Sequence, residues 1–372
     1  MTIDRASFDH QMMSIAIRMA RRGIGNTAPN PAVGAVIADE AIGEVISRGW
    51  TQPGGRPHAE KEALRRAGER ARGRTMYVTL EPCAHTGRVP TCADALLSAG
   101  LRRVVCAIPD PNPVVSGRGF AQLRAKGVEV DVGLLADEAR WVTLGHILRQ
   151  TAHRPFVQIK MALDAEGKIA AGDGAPVWVT CPEARAYAHR LRAEADAILV
   201  GAGTVLADDP ELTCRLPGLA HRSPDRIVLD TRLRTPASAK VYRQQSAKER
   251  IWIASAAEAV DAARRTRGAA LVLDVGSRDG RALDLDGLLD TLAENGLTRL
   301  MVEGGPTVWH AFLAAGFVDE ACVVSSRTKA SGPTIHVIEG EHAAFFARFK
   351  LHRVSARTLG TDDLVIYRRE SP

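Results

Sequence analysis

The pattern that most constrains this chain is an alternation of strand-like and helix-like segments that runs, stops and begins again. In the first run, the helical spacing of Met12, Met13, Ala16, Met19 and Ala20 predicts a helix over Phe8–Arg22, ended by Gly23. "VGAVIA" and "GEVISRGW" predict paired strands. His58–Ala71 predicts a helix, and "TMYVTL" a further strand. A helix from Thr91 or Cys92 to Ala99 is stopped by Gly100. The strand "RRVVCAI", the turn "DPNP" and a helix over Gly119–Lys126 follow, and Ala136–Gln150 closes the run. "TAHRP" is the boundary. Beyond it come "FVQIKMAL", a helix over Pro182–Glu194, then "AILVGAG", "RIVLD", "IWIAS", "ALVLDV" and "RLMVEGG". A helix over Pro306–Ala315, then "ACVVSS" and "LVIYRRE", complete the second run. Two such runs predict two α/β domains, the first a three-layer one, over residues 1–150 and 151–372. A length of 372 residues suits two separate cores.

The net charge of +6 contains no block of like charges, so it fits a small phosphorylated substrate better than nucleic acid. No basic segment leads into an apolar core at the N-terminus, and no apolar run is long enough to span a bilayer. Six scattered cysteines do not suggest a disulfide framework. They predict reduced thiols in the cytoplasm, with some available to a metal.

Two short runs carry chemistry. "RPHAEKEAL" puts His58 two residues before Glu60 at a helix start. "EPCAHTGRVPTC" puts Cys83 after a strand and Cys92 at the start of a helix. Catalytic zinc takes three protein ligands and leaves one position for water. His58, Cys83 and Cys92 supply three such ligands, and two thiolates cancel the charge of Zn²⁺. A helix N-terminus favours a thiolate. Glu60 is then placed for general acid/base work on a metal-acidified water. Zinc nucleobase deaminases carry H-x-E followed by P-C-x-x-C, with the Glu outside the ligand set. Here H-A-E and E-P-C match, but the cysteine gap is eight residues instead of two. A structural zinc, or two buried cysteines, is the blander alternative. Cys106 lies in an apolar strand, and Cys181, Cys214 and Cys322 have no ligand-like neighbours.

With "GNTAPNPAVGAVI", "PHAEKEAL", "YVTLEPCAHTGRVPTC" and "DPNPVVSGRG", the first half resembles the bifunctional riboflavin-biosynthesis deaminase–reductase family. In that family the longer cysteine gap is the expected one. The resemblance continues through "VWVT", "LRAEADAILVGAGTVLADDPELTCR" and "VEGGPT" and covers most of the chain. It implies a cytidine-deaminase-like first domain acting on 2,5-diamino-6-ribosylamino-4(3H)-pyrimidinone 5′-phosphate. Asn30, Arg88 and Asp110 lie in loops where the family contacts base or phosphate, and turn-forming or surface roles fit them equally.

In the second half no G-x-G-x-x-G is present, because "GAGTVL" lacks the third glycine, so a Rossmann argument fails. "EGGPTVWHAF" reads as a strand end, two glycines and a helix opened by Pro306, which can hold a phosphate. The resemblance implies a dihydrofolate-reductase-like domain that uses NADPH to reduce the ribosyl group to ribityl. By motif, cofactor contacts fall on Ala162, Trp178, Thr204, Asp208, Thr231 and the loop from Gly305. Substrate contacts fall on Arg192, Leu212, Arg215 and Glu303, and two arginines suit a phosphate. The chain departs from the family at Asp164, Glu166 and Pro176 and in "SSRTKASG".

Zinc and NADPH are thus the expected cofactors. The expected partner is a phosphorylated pyrimidine rather than nucleic acid or membrane, and the expected form is a cytoplasmic homo-oligomer. A deaminase with a second domain that only binds ligand or dimerises is the alternative. A nucleic-acid deaminase is more remote: it predicts the short cysteine gap and an aromatic-rich face, whereas aromatics are 5% of residues.

Overall fold

The computed structural model describes residues 4–84, 90–113, 115–170, 179–244, 246, 249–266, 270–276, 284–330, 334–338 and 340–370. The chain divides into two compact units, Met1–Arg154 and Pro155–Pro372. Residues 151–154 stay with the first because its last helix runs to Thr151 and the Arg154 amide still donates to the Leu148 carbonyl.

The first unit contains α1 (Arg5–Ala20), β1 (Gly34–Asp39), β2 (Glu44–Trp50), α2 (Ala59–Ala67), β3 (Thr75–Leu80), α3 (Cys92–Ser98), β4 (Arg103–Ile108), α4 (Arg118–Ala125), β5 (Glu129–Val132) and α5 (Ala136–Thr151). Its five strands lie in the order β2-β1-β3-β4-β5. Every residue of β1, β3 and β4 is buried, the signature of a sheet covered on both faces. Two glycines set how close the covering helices come. A Cβ on Gly34 would stand 2.6 Å from the Ala20 amide of α1, and one on Gly49 2.6 Å from the Ala63 amide of α2. Gly49 pairs with Ala35, the neighbour of Gly34, so strand alternation puts α1 and α2 on opposite faces. The expected three layers are present. The helix expected over His58–Ala71 is shorter. His58 is its extended N-cap, and Gly68, at φ 57°, ends the α-helix and passes the chain to one 3₁₀ turn.

The second unit contains β6 (Phe156–Leu163), β7 (Lys168–Ala170), α6 (Pro182–Ala193), β8 (Ala197–Gly201), α7 (Ala202–Asp208), β9 (Asp225–Leu229), β10 (Ile251–Ser255), α8 (Ala257–Thr266), β11 (Leu271–Asp274) and α9 (Leu285–Glu294). It continues through β12 (Arg299–Val302), α10 (Pro306–Ala314), β13 (Glu320–Ser325), β14 (Thr334–His336), α11 (His342–Ala347), β15 (Leu351–Leu359) and β16 (Asp362–Arg369). One nine-stranded sheet runs β11-β10-β9-β8-β12-β6-β13-β16-β15. It is parallel as far as β13, and its last two strands are antiparallel. One face is packed by a cluster including Leu199, Val302, Trp309 and Phe312, and the other by Val200, Met301, Tyr187 and Leu191. The parallel strands of this sheet deliver their carboxyl ends to one edge, where ligands of open α/β sheets bind. Among the described residues no helix is long and apolar enough to cross a membrane.

Candidate active sites

In the first unit, backbone turns bring three potential ligand atoms together. His58 projects from the N-cap of α2, Cys83 follows β3, and Cys92 is the first residue of α3. The start of α3 is fixed by a reciprocal capping box between Thr91 and Asp94. His58 Nδ1 lies 3.4 Å from Cys92 Sγ and 3.7 Å from Cys83 Sγ, and one donor atom from each residue falls within 4.8 Å of the others.

The donor set suits a thiophilic dication. Without one, its charges compete. Hydrogen bonding from Cys92, then from His58, lowers the Cys83 thiol to about 4. The Cys92 thiol is pushed up by that bonded neighbour and by burial. His58 is raised, first by its hydrogen bond with Cys83. A dication accommodates both sulfurs as thiolates and the imidazole as a neutral donor. Glu60, 3% exposed, is in the first turn of α2. Burial pushes its carboxyl up, and the charge of Cys83 adds to that against the opposing pull of His58. The site therefore has three soft and borderline donors beside a buried carboxyl with raised proton affinity.

Sequence reasoning missed Glu81. Its buried carboxylate accepts the amides of Asp110 at 3.1 Å, Gly117 at 2.9 Å and Gly119 at 2.9 Å. This clasp ties the loop after β4 to the strand end that carries Cys83. Backbone acceptance leaves no sequence pattern, which is why it was not legible. Asn30 packs against Gly55, where any Cβ would overlap its side chain. Asp110 turns its carboxylate to the Asn112 amide. Arg88 lies outside the described residues. The other four cysteines are unpaired, and Cys106, Cys214 and Cys322 are buried.

In the second unit, a cavity of about 1010 Å³ opens where the ends of β6, β12, β8 and β9 meet α6, α7 and α10. Ala162, Thr204, Asp208, Thr231 and Gly305 line it, as do Arg192, Leu212, Arg215 and Glu303. Trp178 and Pro176 lie outside the described residues. Glu303 accepts Arg192 Nε at 2.9 Å and stands 3.7 Å from Lys160 Nζ. Burial raises its carboxyl, but Arg192 and Lys160 outweigh that and hold it at about 2. Arg192 also donates to the Thr213 carbonyl at 3.0 Å. Arg215 is half exposed and its guanidinium meets Glu211 at 3.3 Å. Its amide donates to His189 Nδ1 at 3.2 Å, and burial, Arg192 and Arg215 lower that imidazole to about 4. Lys160 and His189 line the cavity too, and neither was singled out by motif.

The cavity wall fits a phosphorylated ligand. Gly304 and Gly201 have no room for a side chain, since a Cβ on either would come within 3.0 Å of Val308. Gly203 borders open space, so backbone faces the cavity there. Two of the departures, Asp164 and Glu166, are explained locally. Asp164 accepts the amides of Glu166, Lys168 and Ala330, and Glu166 pairs with Lys168 and Lys329. They build the β6–β7 turn and fasten it to the segment after β13.

Comparison with known proteins finds a matching family for each unit. Residues 155–355 match the family model described as the RibD C-terminal domain, and residues 6–108 match the cytidine and deoxycytidylate deaminase zinc-binding region. The riboflavin biosynthesis protein RibD of Aquifex aeolicus is 38% identical, over 97% of this chain and 98% of that protein. That of Escherichia coli K12 is 40% identical, over 85% and 86%. The structure of Acinetobacter baumannii RibD superposes with a TM-score of 0.84 at 32% identity, covering 98% of this chain and 99% of that one. A Thermotoga maritima structure described as a diaminohydroxyphosphoribosylaminopyrimidine deaminase/5-amino-6-(5-phosphoribosylamino)uracil reductase superposes at 0.82 and 32%, covering 98% and 100%. Matches over the whole length favour two working halves over a deaminase with an inert partner domain. With a zinc-binding deaminase half joined to a reductase half, the chain belongs to the RibD family of riboflavin-biosynthesis proteins.

Proposed function

We propose that the first unit deaminates 2,5-diamino-6-ribosylamino-4(3H)-pyrimidinone 5′-phosphate and that the second reduces the ribosyl side chain of the product with NADPH, giving 5-amino-6-(5-phosphoribitylamino)uracil. The carrying observation is the His58–Cys83–Cys92 cluster beside buried Glu60, in a chain whose other unit has a large cavity walled by Arg192, Glu303 and glycine backbone.

His58, Cys83 and Cys92 hold zinc in this reading. A zinc held by these three residues would supply an acidified water as the nucleophile that replaces the amino group. Glu60 would carry the two protons of that water in turn, the first to the pyrimidine ring and the second to the departing ammonia. Its buried, proton-retaining carboxyl suits both directions of transfer. Glu81 keeps the loop Asp110–Gly119 against the strand end that carries Cys83.

In the second unit, Ala162, Trp178, Thr204, Asp208, Thr231 and Gly305 contact the nicotinamide cofactor, which supplies hydride. Arg192, Leu212, Arg215 and Glu303 bind the substrate. Arg192 is fixed by Glu303 and by the Thr213 carbonyl, and Arg215 has a weakly held, solvent-facing guanidinium that can turn to a phosphate. A cytoplasmic location and self-association belong to the same reading. Six unpaired cysteines suit a reducing compartment, and β15 leaves an exposed sheet edge.

Incubation with the diaminopyrimidinone phosphate tests the reading. Ammonia release without NADPH, and a ribityl product only with it, are expected. Deamination with no NADPH oxidation would return the second unit to a binding or dimerising role.

A further inference from the structure

The cavity of the second unit spans several strand ends of the sheet. Its walls are the ends of β6, β12, β8 and β9, four neighbouring strands in that order. At about 4.8 Å per strand, β6 and β9 lie about 14 Å apart. Lys160, Arg192 and Glu303 occupy the β6–β12 end. If substrate reacts there, the nicotinamide lies there too, and the adenosine half of the dinucleotide lies toward β9 and Thr231.

The turn after β9 is built firmly. Asp230, 1% exposed, accepts the Arg234 amide at 2.9 Å and the Thr235 amide and hydroxyl at 2.8 and 2.6 Å. The turn places Arg234 on the cavity lining. Its guanidinium has no ion-pair partner among the described residues. The other cations of the lining that make ion pairs are held by carboxylates: Lys160 and Arg192 by Glu303, Arg215 by Glu211, and Lys240 by Asp209. An unpaired, solvated guanidinium on a rigid turn is suited to bidentate pairing with a phosphate dianion. The group that distinguishes NADPH from NADH is such a phosphate, on the adenosine ribose.

We propose that Arg234 is the residue that selects NADPH over NADH, by pairing with the 2′-phosphate. The proposal rests on the cofactor reading above. It assigns to Arg234 a choice between two ligands rather than affinity for both.

The test is titration calorimetry of the full chain with NADP⁺ and with NAD⁺. Arg234→Gln should weaken NADP⁺ by about tenfold or more and leave NAD⁺ within about twofold, and Arg234→Lys should fall between Gln and wild type. The NADPH-to-NADH ratio of kcat/KM should move in parallel. Unchanged NADP⁺ affinity in Arg234→Gln, or equal weakening of both nucleotides, would overturn the assignment. So would a loss specific to NADP⁺ in Lys240→Gln but not in Arg234→Gln. A wild-type chain that binds neither nucleotide would sink the cofactor reading itself, and this proposal with it.

Discussion

The amide of Cys92 points at the sulfur of Cys83, 3.3 Å away. One prospective ligand thus accepts a hydrogen bond from the backbone of another, at the first turn of α3. The arrangement stabilises a thiolate on Cys83 before any metal arrives, through a helix-terminal N–H that has no partner within the helix.

Loss of either sulfur should therefore release zinc. Cys83→Ser and Cys92→Ser keep size but replace a soft anionic ligand with a neutral hydroxyl. Metal analysis of the purified chain should find about one zinc in the wild type and a small fraction of that in each variant. Full retention in both would remove these residues from the ligand set.

Glu81→Gln should loosen the loop Asp110–Gly119. A carboxylate that accepts three amides becomes a group with one acceptor oxygen and an NH₂ facing donors. A cost of about 1–3 kcal/mol is expected for the stranded amides. Denaturant unfolding of the first transition measures it. An unchanged midpoint would mean that the clasp adds nothing to the fold.

Arg215→Ala should raise the substrate KM in the reductase assay by about tenfold or more, with NADPH affinity nearly unchanged. Breaking its exposed contact with Glu211 costs little, so lost phosphate pairing should dominate. Steady-state kinetics varying each ligand in turn separates the two effects. A larger change for NADPH would place Arg215 on the cofactor side.

Acid stability should depend on Glu40. Burial raises its carboxyl, but hydrogen bonds from Thr75 and Arg103 prevail and take it from 4.5 to about 2. The folded value is the lower one, so the stabilisation is present above about pH 4.5 and is lost as pH falls toward 2. At most about 3 kcal/mol is at stake. Glu40→Gln should be less stable than wild type at pH 7, with the gap closing by about pH 2. Urea midpoints across that range measure it, and a constant gap would contradict the linkage.

The metal cluster was legible because ligands must leave strand ends and helix starts, which H-A-E, E-P-C and T-C mark in the sequence. The buried strands were legible for the same kind of reason, as short apolar runs between turns. β15 was not, because His352 through Thr358 are exposed and the strand is held by pairing with β16 rather than by an apolar face. α7 was not legible either, because it follows β8 with no intervening loop and its first residues, Ala202 and Gly203, read as the end of "AILVGAG". Glu81 and His189 act by accepting backbone amides, and no spacing rule reports that.

The account rests on two separate chemistries in one chain, and Glu60→Gln separates them. Gln is nearly isosteric but takes no proton from water, so ammonia release should fall by about 10²–10⁴ while zinc content is kept. The decisive measurement is NADPH oxidation by this variant when it is given the deaminated intermediate directly. A rate within about twofold of wild type is predicted, beside near-absent turnover of the diaminopyrimidinone phosphate. A zinc-loaded, folded variant that loses both activities, or that still releases ammonia within a few-fold of wild type, would contradict the account.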